Sequence, residues 1–274
     1  MNQRIKFQTE AAAPYVIACA YFGGVDADHN DGVRALEYGE PEVRVLRTHG
    51  VPYIDQARAI LSSRALELLP EEDAVLVFLD HDIIFHPLSV PTLVNNLIES
   101  PYDILGAPYS MRREGGGIIG FPLLEPGENN ELPCYEGGGL VDAFGVGMGL
   151  TAIRMRVFRE LAKGMQRVRC GTSTIVYPFF ALEVEPDHSV LPSGEQIGFY
   201  HGEDVSFCNR ARRAGFLVGL DTTHRVGHKG AKIFALEDTV YAVPLAKRLT
   251  LQLRAAEAGN DEFRPLVPPA AVKE

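Results

Sequence analysis

The apolar residues of this chain fall into short unbroken runs separated by polar or glycine-rich stretches. Ala74 to Leu79 (Ala-Val-Leu-Val-Phe-Leu) is apolar throughout, the pattern of a strand buried on both faces, as a central parallel strand is. Pro14–Tyr21, Tyr102–Ala107 and Phe216–Leu220 predict further strands, and Glu42–Thr48 alternates Val43 and Val45 with Arg44 and Arg47. Between them, Ile54–Leu69 places Ile54, Ala57, Ile60 or Leu61, Ala65 and Leu68 at helical spacing. Val90–Ser100, Leu150–Lys163 and Val205–Ala214 predict helices, the last closed by Gly215 with Arg210, Arg212 and Arg213 near its negative end. This β–α–β succession predicts the α/β class, with a mostly parallel central sheet flanked by helices.

The remaining segments lack such periodicity. Asp26–Gly32 and Asp221–Gly230 read as loops, and 121–141 reads as a long surface loop or lid. Residues 164–200 hold aromatic and proline-rich segments with little strand, and 233–257 carries a mixed helical pattern. Residues 1–13 read as a polar leader and 258–274 as a flexible tail.

Composition narrows the partners. The 274 residues are 46% hydrophobic and 23% charged, ordinary for a globular protein. A net charge of −10 argues against nucleic acid or an anionic membrane as the main partner, since both are bound through excess Lys and Arg. Cys19, Cys134, Cys170 and Cys208 show no C-x-x-C pairing, so reduced thiols and a cytoplasmic location are expected. No apolar run approaches the roughly 18 residues that span a bilayer, and neither a signal peptide nor a transmembrane segment is expected.

The candidate chemistry starts where the central strand ends. Asp80 and Asp82 follow Leu79 directly, and two carboxylates there are costly to desolvate without a metal or cationic partner. Ligands of open α/β sheets bind beyond the carboxyl ends of the strands, so the pair reads as a divalent-metal site for a phosphorylated ligand or, alternatively, as a solvated turn. Arg58, near the start of its helix, can reach a base or phosphate, and Arg112 and Arg113 either clamp a phosphate or form a surface basic pair. Phe144-Gly145-Val146-Gly147-Met148-Gly149 places glycine at alternate positions, which lets another molecule approach the backbone. Glu203 and Asp204 open a helix, where dipole compensation is their simplest role.

The order of these features resembles the GT-A glycosyltransferases: a D-x-D motif (Asp80-His81-Asp82), the glycine-spaced loop, an x-E-D motif (Gly202-Glu203-Asp204) and a C-terminal histidine (Val226-Gly227-His228). Ile104-Leu105-Gly106-Ala107-Pro108-Tyr109 and Gly202–Cys208 look like a family-2-like bacterial or viral branch of that clan. The resemblance implies a single GT-A (Rossmann-like) catalytic domain over 14–257. It also implies transfer of a sugar from a nucleoside-diphosphate sugar, UDP- or GDP-linked, to a hydroxyl acceptor such as a glycan.

In that scheme Asp80, Asp82 and His228 hold Mn²⁺ or Mg²⁺ against the diphosphate, the imidazole favouring Mn²⁺. His224 is the competing histidine. Gly147 and Gly149 face donor and acceptor. Asp204 is the general base in an inverting reaction, with Glu203 orienting substrate; retaining members use these carboxylates differently. Asp26, Asp28 or Arg58 are the candidates for gripping the base. Oligomeric state stays open, a homo-oligomer included. Two competing functions fit parts of the pattern: an aspartyl-phosphate phosphohydrolase, with Asp80 as nucleophile, and a non-catalytic sugar-nucleotide-binding protein.

Overall fold

The computed structural model describes residues 11–39, 43–71, 73–123, 131–171, 173–240, 242–245 and 248–252. The first half contains β1 (Tyr15–Tyr21), α1 (Ala27–Gly39), β2 (Arg44–His49), α2 (Ile54–Leu68), β3 (Val75–Leu79), β4 (Ile83–Phe85), α3 (Ser89–Glu99) and β5 (Ile104–Gly106). Short strands follow: β6 (Tyr109–Ser110), β7 (Ile118–Ile119), β8 (Phe121–Pro122) and β9 (Glu131–Tyr135). Then come β10 (Leu140–Gly145), β11 (Leu150–Arg154), α4 (Met155–Lys163) and two hairpins, β12–β13 (Val168–Cys170, Thr174–Val176) and β14–β15 (Glu183–Val190, Gln196–His201). The described chain closes with α5 (Glu203–Arg213), β16 (Val218–Asp221), β17 (Val226–Lys229), β18 (Ile233–Phe234), β19 (Ala242–Leu245) and β20 (Arg248–Gln252).

The central sheet has the order β2-β1-β3-β11-β5-β16-β10-β8. β2, β1, β3, β5, β16 and β8 run one way; β11 and β10 run against them. Alternate residues of each central strand feed two cores. Leu76 and Phe78 of β3 join Leu61 of α2, Phe158 of α4 and Phe207 of α5 on one face. Val75, Val77 and Leu79 join Leu36 of α1 and Leu93 and Leu97 of α3 on the other. The fold is therefore a mixed α/β structure with helices on both faces, which is why β1 and β3 read as continuous apolar runs. Each fully buried Leu or Phe removes enough apolar area from water to contribute about 1.5–3 kcal/mol.

Several expectations are corrected. Asp26–Gly32 is not a loop: α1 starts at Ala27, and Asp26 Oδ1 accepts from the Asp28 and His29 amides at 3.0 and 3.4 Å, a cap on the helix start. Leu150–Lys163 is not one helix. Leu150–Arg154 is the antiparallel strand between β3 and β5, buried on both faces, and the helix starts at Met155. A doubly buried strand followed directly by a helix has the same apolar content as a longer helix, which misleads a periodicity count.

In 121–141, β8, β9 and the start of β10 replace the expected loop, although 124–130 lie outside the described residues. The described part of 233–257 is mostly strand, with one 3₁₀ turn at Leu236–Asp238 and β20 pairing with both β19 and β9, and the expected loop 221–230 contains β17. Of the expected leader over 1–13, residues 1–10 lie outside the described residues, as does the whole of the expected tail over 258–274. Among the described residues, no helix is long and apolar enough to cross a membrane.

Candidate active site at the carboxyl end of the central strand

After Leu79 the chain makes a tight turn. The Asp80 amide donates to the Gly149 carbonyl at 2.9 Å, and the Ile83 amide donates back to the Asp80 carbonyl at 3.0 Å. β4 then pairs antiparallel with β17, placing Ile83 opposite His228. The Lys229 amide donates to the Asp82 carbonyl at 2.7 Å. The D-x-D turn and Val226-Gly227-His228, far apart in sequence, thus form one edge of the site.

The two aspartates face different partners. Asp80 Oδ2 accepts from Arg58 at 2.9 Å, and the same guanidinium bonds Glu203 through its other arm. Arg58 is 4% exposed, so it is a buried cation shared by two carboxylates and does not stand free for a base or phosphate. Burial raises the Asp80 pKa against the opposing pull of Arg58, with Asp82 adding to the rise.

Asp82 lies next to His228, its Oδ2 3.3 Å from Nε2, and Arg112 donates to the same oxygen at 2.8 Å. Burial would raise the Asp82 pKa, but the hydrogen bond and charge of His228 and the charge of Arg112 outweigh it and the net shift is downward. His228 Nδ1 is 2.8 Å from the Ser110 carbonyl. A carbonyl only accepts, so Nδ1 carries a hydrogen, and Nε2 faces the Asp82 carboxylate either as the second N–H of an imidazolium or with its lone pair turned to a shared cation. A histidine whose second nitrogen is tied to a backbone carbonyl is oriented as metal-ligating histidines are.

The donor set fits a divalent cation in part. Asp82 and His228 converge, whereas Asp80 turns away to Arg58, and among the described residues no group of three His, Cys, Asp or Glu is arranged to hold a metal. His224 is not at this edge; its Nε2 lies 3.0 Å from Asp221. Asp26 and Asp28 pair with Lys229 at 3.7 and 2.9 Å.

Glu203 and Asp204 form the first turn of α5 after the N-cap Gly202. Asp204 Oδ1 accepts from the Val205 amide at 2.7 Å. Burial first, then the neighbouring Glu203 charge, push its pKa up to about 6, against the opposing pull of Arg58.

The glycines have a different immediate reason from the one expected. A Cβ at Gly147 would lie 2.5 Å from the Tyr109 hydroxyl, and one at Gly149 would lie 2.7 Å from the Tyr109 ring. Their missing side chains make room for Tyr109, and both glycines are buried. The Gly149 amide donates to the Tyr109 hydroxyl at 3.2 Å, and the Tyr109 ring meets His228 edge-to-face with centroids 5.1 Å apart. Burial, with the charges of Asp80 and Asp204 adding to it, holds the Tyr109 hydroxyl well above the usual phenol pKa.

Tyr109 and Ser110 were missed in the sequence. The available signal was their place just past the carboxyl end of β5, on the side where ligands of such sheets bind.

No protein-family model matches the chain, and no curated protein matches it. Among solved structures the chain is similar to A197 from STIV, at 16% identity over 91% of this chain and 100% of that one, with a TM-score of 0.49. It is also similar to GalNAc-T7 crystallised with UDP, GalNAc and Mn²⁺, at 14% identity over 85% of this chain and 46% of that one, with a TM-score of 0.44.

Proposed function

We propose that this chain is a divalent-metal-dependent glycosyltransferase of the GT-A type, with its catalytic domain over 14–257. It transfers a sugar from a nucleoside-diphosphate sugar, UDP- or GDP-linked, to a hydroxyl acceptor such as a glycan. The observation that carries this reading is the His228–Asp82 pair, 3.3 Å apart with the far imidazole nitrogen tied to Ser110. It supplies two of the donors a cation requires, at the end of the central strand where the D-x-D motif falls. Asp82 and His228 would hold the ion, with oxygens of the donor diphosphate completing its shell. The imidazole in the set favours Mn²⁺ over Mg²⁺. When bound, the cation offsets negative charge growing on the departing nucleoside diphosphate.

The protein's own residues divide the remaining work. Arg58 holds Asp80 and Glu203 in ion pairs, so neither carboxylate stands free to accept a proton. Asp204, with a pKa raised to about 6, is the carboxylate suited to take a proton from an acceptor hydroxyl near neutral pH. Arg112 is half-exposed and engaged with Asp82; it is placed to exchange that carboxylate for a donor phosphate, where a guanidinium bonds in bidentate fashion. The backbone at Gly147 and Gly149 would then act through Tyr109, holding the floor on which the sugar rests.

A phosphohydrolase would need Asp80 free as a nucleophile, and its pairing with Arg58 counts against that reading. The experiment that tests the proposal is a thermal-shift panel of nucleoside diphosphates with and without Mn²⁺. A nucleotide that stabilises the chain only with Mn²⁺ supports the proposal; no stabilisation by any of them overturns it.

A further inference from the structure

An open surface depression lies at the opposite end of the β4–β17 pair. Strand pairing runs from Ile83 opposite His228 to Phe85 opposite Val226. His86 and Arg225 therefore stand roughly 10 Å from the Asp82–His228 edge at ordinary strand rise. The depression holds about 270 Å³ and is lined by His86, Ser89, Thr92, Thr223, His224 and Arg225, together with Leu88. None of the described residues lining it is acidic, in a chain whose net charge is −10.

Its polar groups are set as donors. The Leu88 amide donates to His86 Nδ1 at 3.2 Å, so the imidazole hydrogen sits on Nε2, free to donate outward. The Arg225 guanidinium lies 4.3 Å from the centroid of the Tyr135 ring, which pre-orients it while leaving its N–H edges available. Ser89 and Thr92 add hydroxyls.

Behind the lining, Asp221 is fully buried. Its Oδ1 accepts from the Thr223 amide and hydroxyl at 3.0 and 2.6 Å, and its Oδ2 accepts from Asn96 at 2.6 Å. His224 Nε2 lies 3.0 Å from the Asp221 carboxylate, and the ring is only 5% exposed. Donors, a fixed cation and no lining acid select an oxyanion. The volume, near the lower end of about 300 Å³ for small-ligand sites, leaves room for a small organic group beside a phosphate.

We propose that this depression is a second oxyanion site, separate from the Asp82–His228 edge, and that it takes the phosphate of a small phosphomonoester. The test is a titration of inorganic phosphate into the full chain, read on the imidazole resonances of His86, His224 and His228 by NMR. Saturable shifts of His86 and His224 are expected, with His228 unmoved. Arg225→Gln, an exposed position, should weaken binding by about tenfold, the effect of losing one charge-assisted hydrogen bond, and Asp82→Asn should leave it unchanged. Ribose 5-phosphate should produce the same shifts with affinity no lower than that of phosphate. Absence of a saturable shift up to about 20 mM phosphate, weaker than any specific site of this kind, would overturn the proposal. Equal affinity in Arg225→Gln, shifts confined to His228, or weaker binding of ribose 5-phosphate would also overturn it.

Discussion

Arg58 Nη2 sits 2.9 Å from Asp80 Oδ2, joining the end of β3 to helix α2, and the same guanidinium reaches Glu203 at the start of α5. One buried cation thus ties three elements together and pairs with two carboxylates. Removing it leaves both unpaired in a poorly solvated place, so Arg58→Ala should lose about 3–5 kcal/mol in chemical denaturation at pH 7. Arg58→Lys should recover only part of this, because one ammonium cannot span both partners as a planar fork does. A loss under about 1 kcal/mol for the alanine variant, the level of a surface pair, would show that this link is not structural.

Much of this arrangement was legible in the sequence, and the reason differs residue by residue. Asp80, Asp82, Glu203 and Asp204 stood out because carboxylates at the end of an apolar strand or the start of a helix are conspicuous. His228 was placed through its Val-Gly-His context. Arg58 was noticed but given the wrong partner, since helical spacing shows that it lies near a helix start and nothing about the depth of the pocket it enters. Tyr109 stood in the Ile104–Tyr109 stretch with no role assigned to it. Its role arises from a space that two distant glycines leave open, and that relation exists only once β5, β11 and the glycine loop have been brought together. In the fold, the buried strands were found by their apolar runs, whereas β11, β17 and β20 were missed because short antiparallel strands depend on partners remote in sequence.

The glycine loop gives a packing prediction. A Cβ at Gly149 would meet the Tyr109 ring at 2.7 Å and Ile83 at 3.0 Å, whereas one at Gly139 meets nothing within 4 Å. Gly149→Ala should therefore cost about 1–3 kcal/mol through overpacking, and Gly139→Ala should fall within about 0.5 kcal/mol of wild type. Urea unfolding of the two variants checks this, and equal stabilities would contradict the packing described. Tyr109→Phe, which keeps the ring and removes the acceptor for the Gly149 amide, should cost about 1–2 kcal/mol.

Asp204 links stability and activity with opposite signs. Its pKa in the folded protein is raised to about 6, from 3.8. The stability it contributes is therefore present in full below the unfolded value near 3.8 and is lost as pH rises through about 6. Asp204→Asn should gain on the order of 1–2 kcal/mol at pH 8 and show no such gain at pH 4. Transfer should move the other way, falling about tenfold per pH unit below 6 in wild type as the base is protonated. It should be nearly absent in Asp204→Asn at every pH. Denaturation curves at the two pH values, set beside a pH–rate profile, separate these effects. A wild-type rate flat from pH 5 to 8 would remove Asp204 from the base role.

Sugar transfer should depend on the Asp82–His228 pair as the holder of a divalent cation. The measurement is nucleoside-diphosphate release from a panel of sugar nucleotides by wild type, Asp82→Asn and His228→Asn, across a Mn²⁺ titration that starts from chelator. Wild type should turn over at least one donor, only with the metal, and each variant should lose on the order of 100-fold or more at the Mn²⁺ concentration that saturates wild type. Turnover that survives the chelator, or that is the same in Asp82→Asn as in wild type, would contradict it.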